Sequence, residues 1–191
     1  MLVLASSSPR RRELLKTIGL EFVVLSPEID ENIENSSKPE ELVVELARQK
    51  AQAVEQKVDK GDIIISADTI VVYRKSILGK PTDESEAFNM LKRLSGKWHK
   101  VFTGVCIRIT GKEITFYEVT KVKFRELQDE EIVYYISTKE PLDKAGAYGI
   151  QGLGGVFVEK IVGDYTNVVG LPLPKLWKIL FDRGIVGKNG T

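Results

Sequence analysis

The apolar positions change period along the chain, and each change predicts an element. An apolar tetrad, Leu2 to Ala5, runs into "SSSPRRR". Leu14, Leu15 and Ile18 then fall on one face of a helix that has Ser8 as N-cap, Pro9 at its first position and Gly19 as its stop. "FVVL" (22–25) reads as a strand, followed by the polar loop "SPEIDENIENSSKPEE". Ser37 with Glu40 three residues on suggests a capping box. The helix it opens carries Val43, Leu46, Ala47, Val54 and Val58 on its apolar side. "DIIISAD" (62–68) is a nearly continuous apolar run ending in a carboxylate, the pattern of a strand covered on both faces. "TIVVYRKSILGKP" reads as a further strand that turns back on itself. Thr82 is expected to cap a helix with Ala87, Met90, Leu91 and Leu94 inside and Gly96 at its end. "KVFTGVCIRIT" and "EITFYEVTKVKF" flank Gly111 and predict a long hairpin. A short helix at "DEEIVYYIS", a strand at "GGVFVEKIVG" and a last helix over 174–181 complete the pattern. Strands that alternate with helices, plus one hairpin, predict an α/β fold with a mixed sheet.

Composition narrows the function without naming it. The 191 residues are expected to form a single domain over 1–191, long enough for a core without staples. Lys and Arg total 28 against 27 acids, a net charge of +1, which argues against bulk binding of nucleic acid. No run of apolar residues is long enough to span a membrane, and the first residues lack the pattern of a signal peptide, so the expected compartment is the cytoplasm. With one cysteine and one histidine, no Cys-based zinc site and no multi-His metal site can be built. Cys106 sits in an apolar strand pattern and reads as a core residue. His99, near a strand start, could act as acid or base but reads more simply as a histidine satisfied by hydrogen bonds.

The candidate chemistry begins with "SSSPRRR". Cations in the first turn of a helix stand against its dipole, by roughly 0.3–1 kcal/mol each when exposed. Free N–H groups, serine hydroxyls and guanidinium forks there could converge on a phosphate; the plainer alternative is a capped surface helix with solvated arginines. Asp68 ends an apolar strand, where it either caps a turn or does chemistry. Lys50 lies near the apolar side of its helix and must snorkel or find an anionic partner. Lys80 in "LGKP" reads by default as a solvated loop lysine, and Asp30 and Glu31 as solvated loop acids. Together these groups suit a polyphosphate, a divalent metal and a water, the set that phosphoanhydride hydrolysis requires.

The stretches "LVLASSSPRRRELL", "DE" at 30–31, "ELARQKA", "SADTIV", "LGKP", "LSGKWHKVFTGV", "EPLDKAGAYGIQGLGG" and "NVVGLPL", in that order, resemble the Maf family of nucleoside triphosphate pyrophosphatases. The resemblance implies an elongated α/β fold with a mixed central sheet flanked by helices and a cleft between two lobes, like that of inosine triphosphate pyrophosphatases. It implies cleavage of a nucleoside triphosphate to the monophosphate and pyrophosphate with a divalent cation, Mg²⁺ or Mn²⁺. Carried over by position, Asp68 resembles the catalytic base and Glu31 an acidic partner, both of them metal ligands. Ser6, Arg11, Lys50 and Lys80 resemble phosphate and site residues, Lys80 with a catalytic part. Arg10, Thr69 and Gln151 resemble the positions of the dTTP/UTP branch that select the base. A nucleotide-sensing regulator of cell division without essential turnover is the alternative function, and an RNA-binding protein a weaker rival. The expected partner is the nucleotide, with neither nucleic acid nor membrane, and self-association as a homodimer stays open.

Overall fold

Hydrophobic strands set the frame of the molecule. The computed structural model describes residues 1–29, 38–109 and 111–187. Among them one seven-stranded mixed sheet carries β1 (Leu2–Ala5), β2 (Val23–Leu25), β3 (Ile63–Tyr73), β4 (Ser76–Leu78), β5 (Trp98–Ile109), β6 (Lys112–Phe124) and β7 (Val158–Val162). Its order is β2-β1-β3-β5-β6-β7, with β4 paired to β3. β1 runs parallel to β2 and β3, and the remaining pairs are antiparallel. The helices are α1 (Pro9–Thr17), α2 (Pro39–Glu55), α3 (Glu84–Leu94), α4 (Asp129–Ser137), α5 (Tyr165–Val169) and α6 (Leu173–Asp182). This is the mixed α/β sheet with flanking helices that the pattern predicts.

Several boundaries differ from the sequence reading, each for a local reason. "DIIISAD" and "TIVVY" form one 11-residue strand, because Asp68 and Thr69 continue the pairing to Gly104 and Thr103 on β5. Ser8 holds the N-cap position of α1 without a side-chain cap; its backbone N–H instead donates to Ser6 Oγ at 3.1 Å. The capping box expected at Ser37 lies outside the described residues, and the N-cap position of α2 is occupied by Lys38. Asp83, not Thr82, caps α3, accepting from the Glu86 N–H at 2.7 Å. The strand expected over 154–163 begins only at Val158, after a 3-10 turn over Leu153–Phe157.

The two faces of the sheet are covered differently, and this creates the two lobes. On one face α2 packs along the strands: Ala47, Ala51 and Val54 meet Ile64 and Cys106, while Leu42, Val43 and Leu46 meet Ile70, Val72 and Phe102. On the opposite face the cover changes part-way. Ile65 and Ala67 of β3 and Val105 and Ile107 of β5 belong to a core with α1 and α6. Val71 and Val101 belong to a second core with α3 and α4. Between the cores lies a polar seam of Thr69, Thr103 and Thr120 on three adjacent strands, closed by the buried side chain of Asn167 on α5. Asn167 Nδ2 donates to Val101 O (3.1 Å) and to Thr120 Oγ1 (2.9 Å).

Candidate active site

A cleft of about 410 Å³ opens where the seam reaches the surface. Ser6 follows the end of β1 there; α1 starts there with Arg10 and Arg11; α2 contributes Lys50, β3 Asp68 and Thr69, the turn after β4 Lys80, and the glycine-rich loop Gln151. The structure thus brings together eight of the nine candidate side chains. The ninth, Glu31, lies with Asp30 outside the described residues. Arg12 differs from its neighbours: it is exposed and does not line the cleft, so of the three arginines Arg10 and Arg11 contribute to it.

At the centre stands a buried ion pair. Asp68 and Lys50 are 6% and 7% exposed, and Lys50 Nζ donates to Asp68 Oδ1. Two charges leave water only when each meets a partner. The apolar stripe of α2 therefore tolerates Lys50 because β3 offers a carboxylate beneath it. Asp68 Oδ2 accepts no hydrogen bond among the described residues, so one oxygen of the carboxylate is uncommitted there.

Arg11 is held from three sides. Its Nε donates to Gly170 O (2.7 Å), one terminal nitrogen to Ser6 Oγ (3.4 Å) and the other to Thr69 Oγ1 (3.0 Å). The arginine thus bridges the start of α1, the end of α5 and the middle of β3, and its planar fork faces the cleft already ordered. Arg10 reaches Asp143 at 3.7 Å. Burial works against the charge of Asp143, but the ion pairs with Lys144 and Arg10 hold its carboxyl below the usual range. Lys80 also lines the cleft and is exposed.

Some residues that shape the cleft lie within the quoted stretch "EPLDKAGAYGIQGLGG", but their residue types alone do not single them out. Glu140 accepts from Tyr135 Oη (2.9 Å) and from the backbone N–H groups of Leu153 (3.0 Å) and Gly154 (3.3 Å). That carboxylate ties down the loop that presents Gln151. It also explains Gly152, where a Cβ would sit 2.5 Å from the Glu140 carboxylate oxygens. Lys144 lines the cleft as a further cation, donating to Asp143 Oδ1 (2.6 Å) and Glu140 O (2.5 Å). Tyr148 forms part of the wall and shares a 2.8 Å hydrogen bond with His99 Nε2. Burial lowers His99 to about 4, so the ring is neutral at pH 7 and supports the wall from behind. Burial likewise pushes the Cys106 thiol up to about 11, which leaves it a core residue without nucleophilic character. No helix among the described residues is long and apolar enough to cross a membrane.

The chain is similar to known proteins over nearly its whole length. It is 56% identical over 185 residues to the dTTP/UTP pyrophosphatase of Thermosipho melanesiensis, covering 97% of this chain and 99% of that protein. It is 53% identical over 175 residues to a dTTP/UTP pyrophosphatase of Bacillus cereus, covering 92% and 91%. Among solved structures, a HAM1 protein from Coxiella burnetii superposes with a TM-score of 0.51 at 13% identity, over 95% of this chain and 98% of that one. At that identity the likeness is one of fold. Residues 1–183 match the family described as Maf-like protein. That span takes in every element lining the cleft, from Ser6 after β1 to Gly170 after α5, and the chain belongs to the Maf-like protein family.

Proposed function

We propose that the cleft hydrolyses dTTP and UTP to the nucleoside monophosphate and pyrophosphate. The observation that carries this reading is the meeting of one buried carboxylate, Asp68, with Ser6, Arg10, Arg11, Lys50 and Lys80 in a single cleft. The relatives named dTTP/UTP pyrophosphatase, at more than half identity over nearly the whole chain, support it. A triphosphate carries about four negative charges at neutral pH, and helix N–H groups with forked guanidinium donors are suited to it. Ser6, Arg11 and Lys80 bind the phosphates and hold the chain of phosphorus atoms in line. Lys50 orients the Asp68 carboxylate through Oδ1, and Oδ2 takes the proton from the water that attacks the α phosphorus. Pyrophosphate leaves among the cations, which stabilise its growing charge. Arg10, Thr69 and Gln151 face the nucleoside and select the base. A glutamine amide can meet both the N3 donor and the O4 acceptor of uracil or thymine.

The donors present fit a hard divalent cation, Mg²⁺ or Mn²⁺. Among the described residues no cluster of three or more His, Cys, Asp or Glu could hold a metal by itself. Such an ion is commonly held by one or two carboxylates together with substrate phosphates. Asp68, with Glu31 as its expected companion, would supply the protein oxygens, and the bound ion would polarise the phosphate oxygens. A buried carboxylate beside a triphosphate is of little use to a protein that only senses nucleotides, because like charges weaken binding. The continuous sheet supports one catalytic unit over the chain, and a nucleotide substrate fits the cytoplasm.

The test is a panel of nucleoside triphosphates with Mg²⁺ or Mn²⁺, with products separated by chromatography. Monophosphate and pyrophosphate from dTTP and UTP are expected, and chelator should stop their formation. Nucleoside diphosphate and orthophosphate as first products would refute the mechanism.

A further inference from the structure

The polar seam between the two cores does more than fill space, because each of its hydroxyls has only one hydrogen to give. The carbonyl oxygen of Asn167 has none, so its 3.0 Å contact with Thr103 Oγ1 uses the Thr103 hydrogen. Thr103 therefore meets Thr69 with a lone pair, and the 2.9 Å contact between the two hydroxyls uses the hydrogen of Thr69. Arg11 donates to the same Thr69 oxygen at 3.0 Å and occupies one of its lone pairs. What Thr69 has left to offer the cleft is an acceptor. The end of this relay is rigid: Asn167 is buried, its side chain is tied to Val101 O and Thr120 Oγ1, and its carbonyl also accepts the Gly170 N–H at 3.1 Å.

We propose that Thr103 is a positioning residue that makes Thr69 an acceptor-only group in the cleft, so that Thr69 reads a hydrogen-bond donor on the nucleoside. This rests on the dTTP/UTP reading of the site. A phosphate chain ionised at neutral pH offers Thr69 nothing to accept. Two groups common to dTTP and UTP do carry a hydrogen: N3–H of the base, and the 3′ hydroxyl of the sugar. At the first of these, cytosine has a lone pair, which would face the lone pair of Thr69. A partly buried polar group such as Thr69, left opposed in this way once the nucleoside covers it, is a means of rejecting a near-isostere.

The inference predicts a selectivity defect without a folding defect. Thr103→Val keeps the shape of the side chain and removes the hydroxyl. The Asn167 carbonyl keeps its bond from Gly170, and the Thr69 hydrogen becomes free to turn toward cytosine N3. The experiment measures kcat/KM for UTP, CTP and 3′-deoxy-UTP in the wild type, Thr103→Val and Thr103→Ser, with thermal unfolding beside it; Thr103→Ala replaces the valine variant if that one does not fold. In the valine variant the preference for UTP over CTP should fall about tenfold, the range expected for one opposed hydrogen-bonding group. Thr103→Ser, which restores the relay, should keep it. A fall in the preference for UTP over 3′-deoxy-UTP instead would identify the sugar as the donor and keep the acceptor-only assignment. If the wild type discriminates and the variant keeps both ratios, the relay does not set selectivity and the inference is overturned. If the wild type turns over none of the three, the dTTP/UTP reading falls first and the inference with it.

Discussion

A carboxylate and an ammonium buried against each other, as Asp68 and Lys50 are, offset part of each other's loss of hydration. Substituting one of them tests chemistry and folding at once. Asparagine keeps the volume of aspartate and a carbonyl oxygen for Lys50, but it cannot take a proton from water. Asp68→Asn should therefore lower kcat by about 10²–10⁴, and it should lower the urea midpoint as well without abolishing folding, because the buried Lys50 ammonium loses a counter-charge. Wild-type turnover in this variant would remove Asp68 from the base role. His99 makes a prediction of the opposite kind, about stability alone. Its ring is buried against Phe124 and Tyr148, and its Nδ1 has no hydrogen-bond partner among the described residues. Burial lowers its pKa from 6.5 to about 4. Above pH 6.5 both folded and unfolded chains carry a neutral ring and the shift has no effect. As pH falls toward 4, the unfolded chain takes up a proton that the folded one refuses, and stability falls. The His99 contribution to this slope should approach ~1.4 kcal/mol per pH unit. Urea unfolding of the wild type and of His99→Phe across pH 4.5 to 7 would measure it, and equal slopes would contradict the assignment.

At the scale of elements, the close approach of α2 to the sheet brings Lys50 to Asp68. Gly104 on β5 pairs with Asp68 on β3, so both positions face α2. A Cβ at Gly104 would stand 2.3 Å from the carbonyl carbon and oxygen of Val43 and 2.5 Å from the Val44 nitrogen. These are backbone atoms and cannot rotate away. Lys50 lies two turns further along the same face of the helix as Val43. Gly104→Ala should thus cost roughly 3 kcal/mol, read as a lowered urea midpoint, and should also lower kcat by shifting Lys50. A near-normal midpoint with full activity would show that α2 has more freedom than the contact implies. Much of this scale was legible in the pattern: the β5–β6 hairpin around Gly111, and α2 and α3 with their buried stripes, follow from apolar spacing alone. β3 was broken in two by the polar pair Asp68–Thr69, because a periodicity argument treats mid-strand polar residues as an end. In the molecule they sit where the covering layers change. The five-residue α5 was too short to show a period.

The whole molecule combines near-neutrality with a charged cleft. Motif residues such as Arg10, Arg11 and Lys80 could be read as candidates because their types suit an anion. Thr103, Glu140 and Asn167 could not, because what they do depends on partners 34, 14 and 64 residues away in sequence. Nor could the field of the cleft be read from a net charge of +1. Among the described residues, Arg10, Arg11, Lys50, Lys80 and Lys144 line the cleft against only Asp68 and Asp143. The excess of positive charge is therefore concentrated where the triphosphate is proposed to dock, and the rest of the surface offsets it. Such a cleft attracts a polyanion over about one Debye length, ~8 Å at physiological ionic strength. Added salt should weaken encounter and phosphate binding while leaving the buried Lys50–Asp68 pair largely unscreened. With the divalent cation held constant, raising KCl from about 50 to 400 mM should lower kcat/KM for UTP by ~5- to 10-fold, mostly through KM, with kcat nearly level. Lys80→Met, which removes an exposed cation from the cleft, should flatten that dependence as well as raise KM. A kcat/KM independent of salt would mean that the cleft cations do not recruit the nucleotide through their field. A salt effect confined to kcat would place it on the chemical step, with charge development at the leaving pyrophosphate as the quantity being screened.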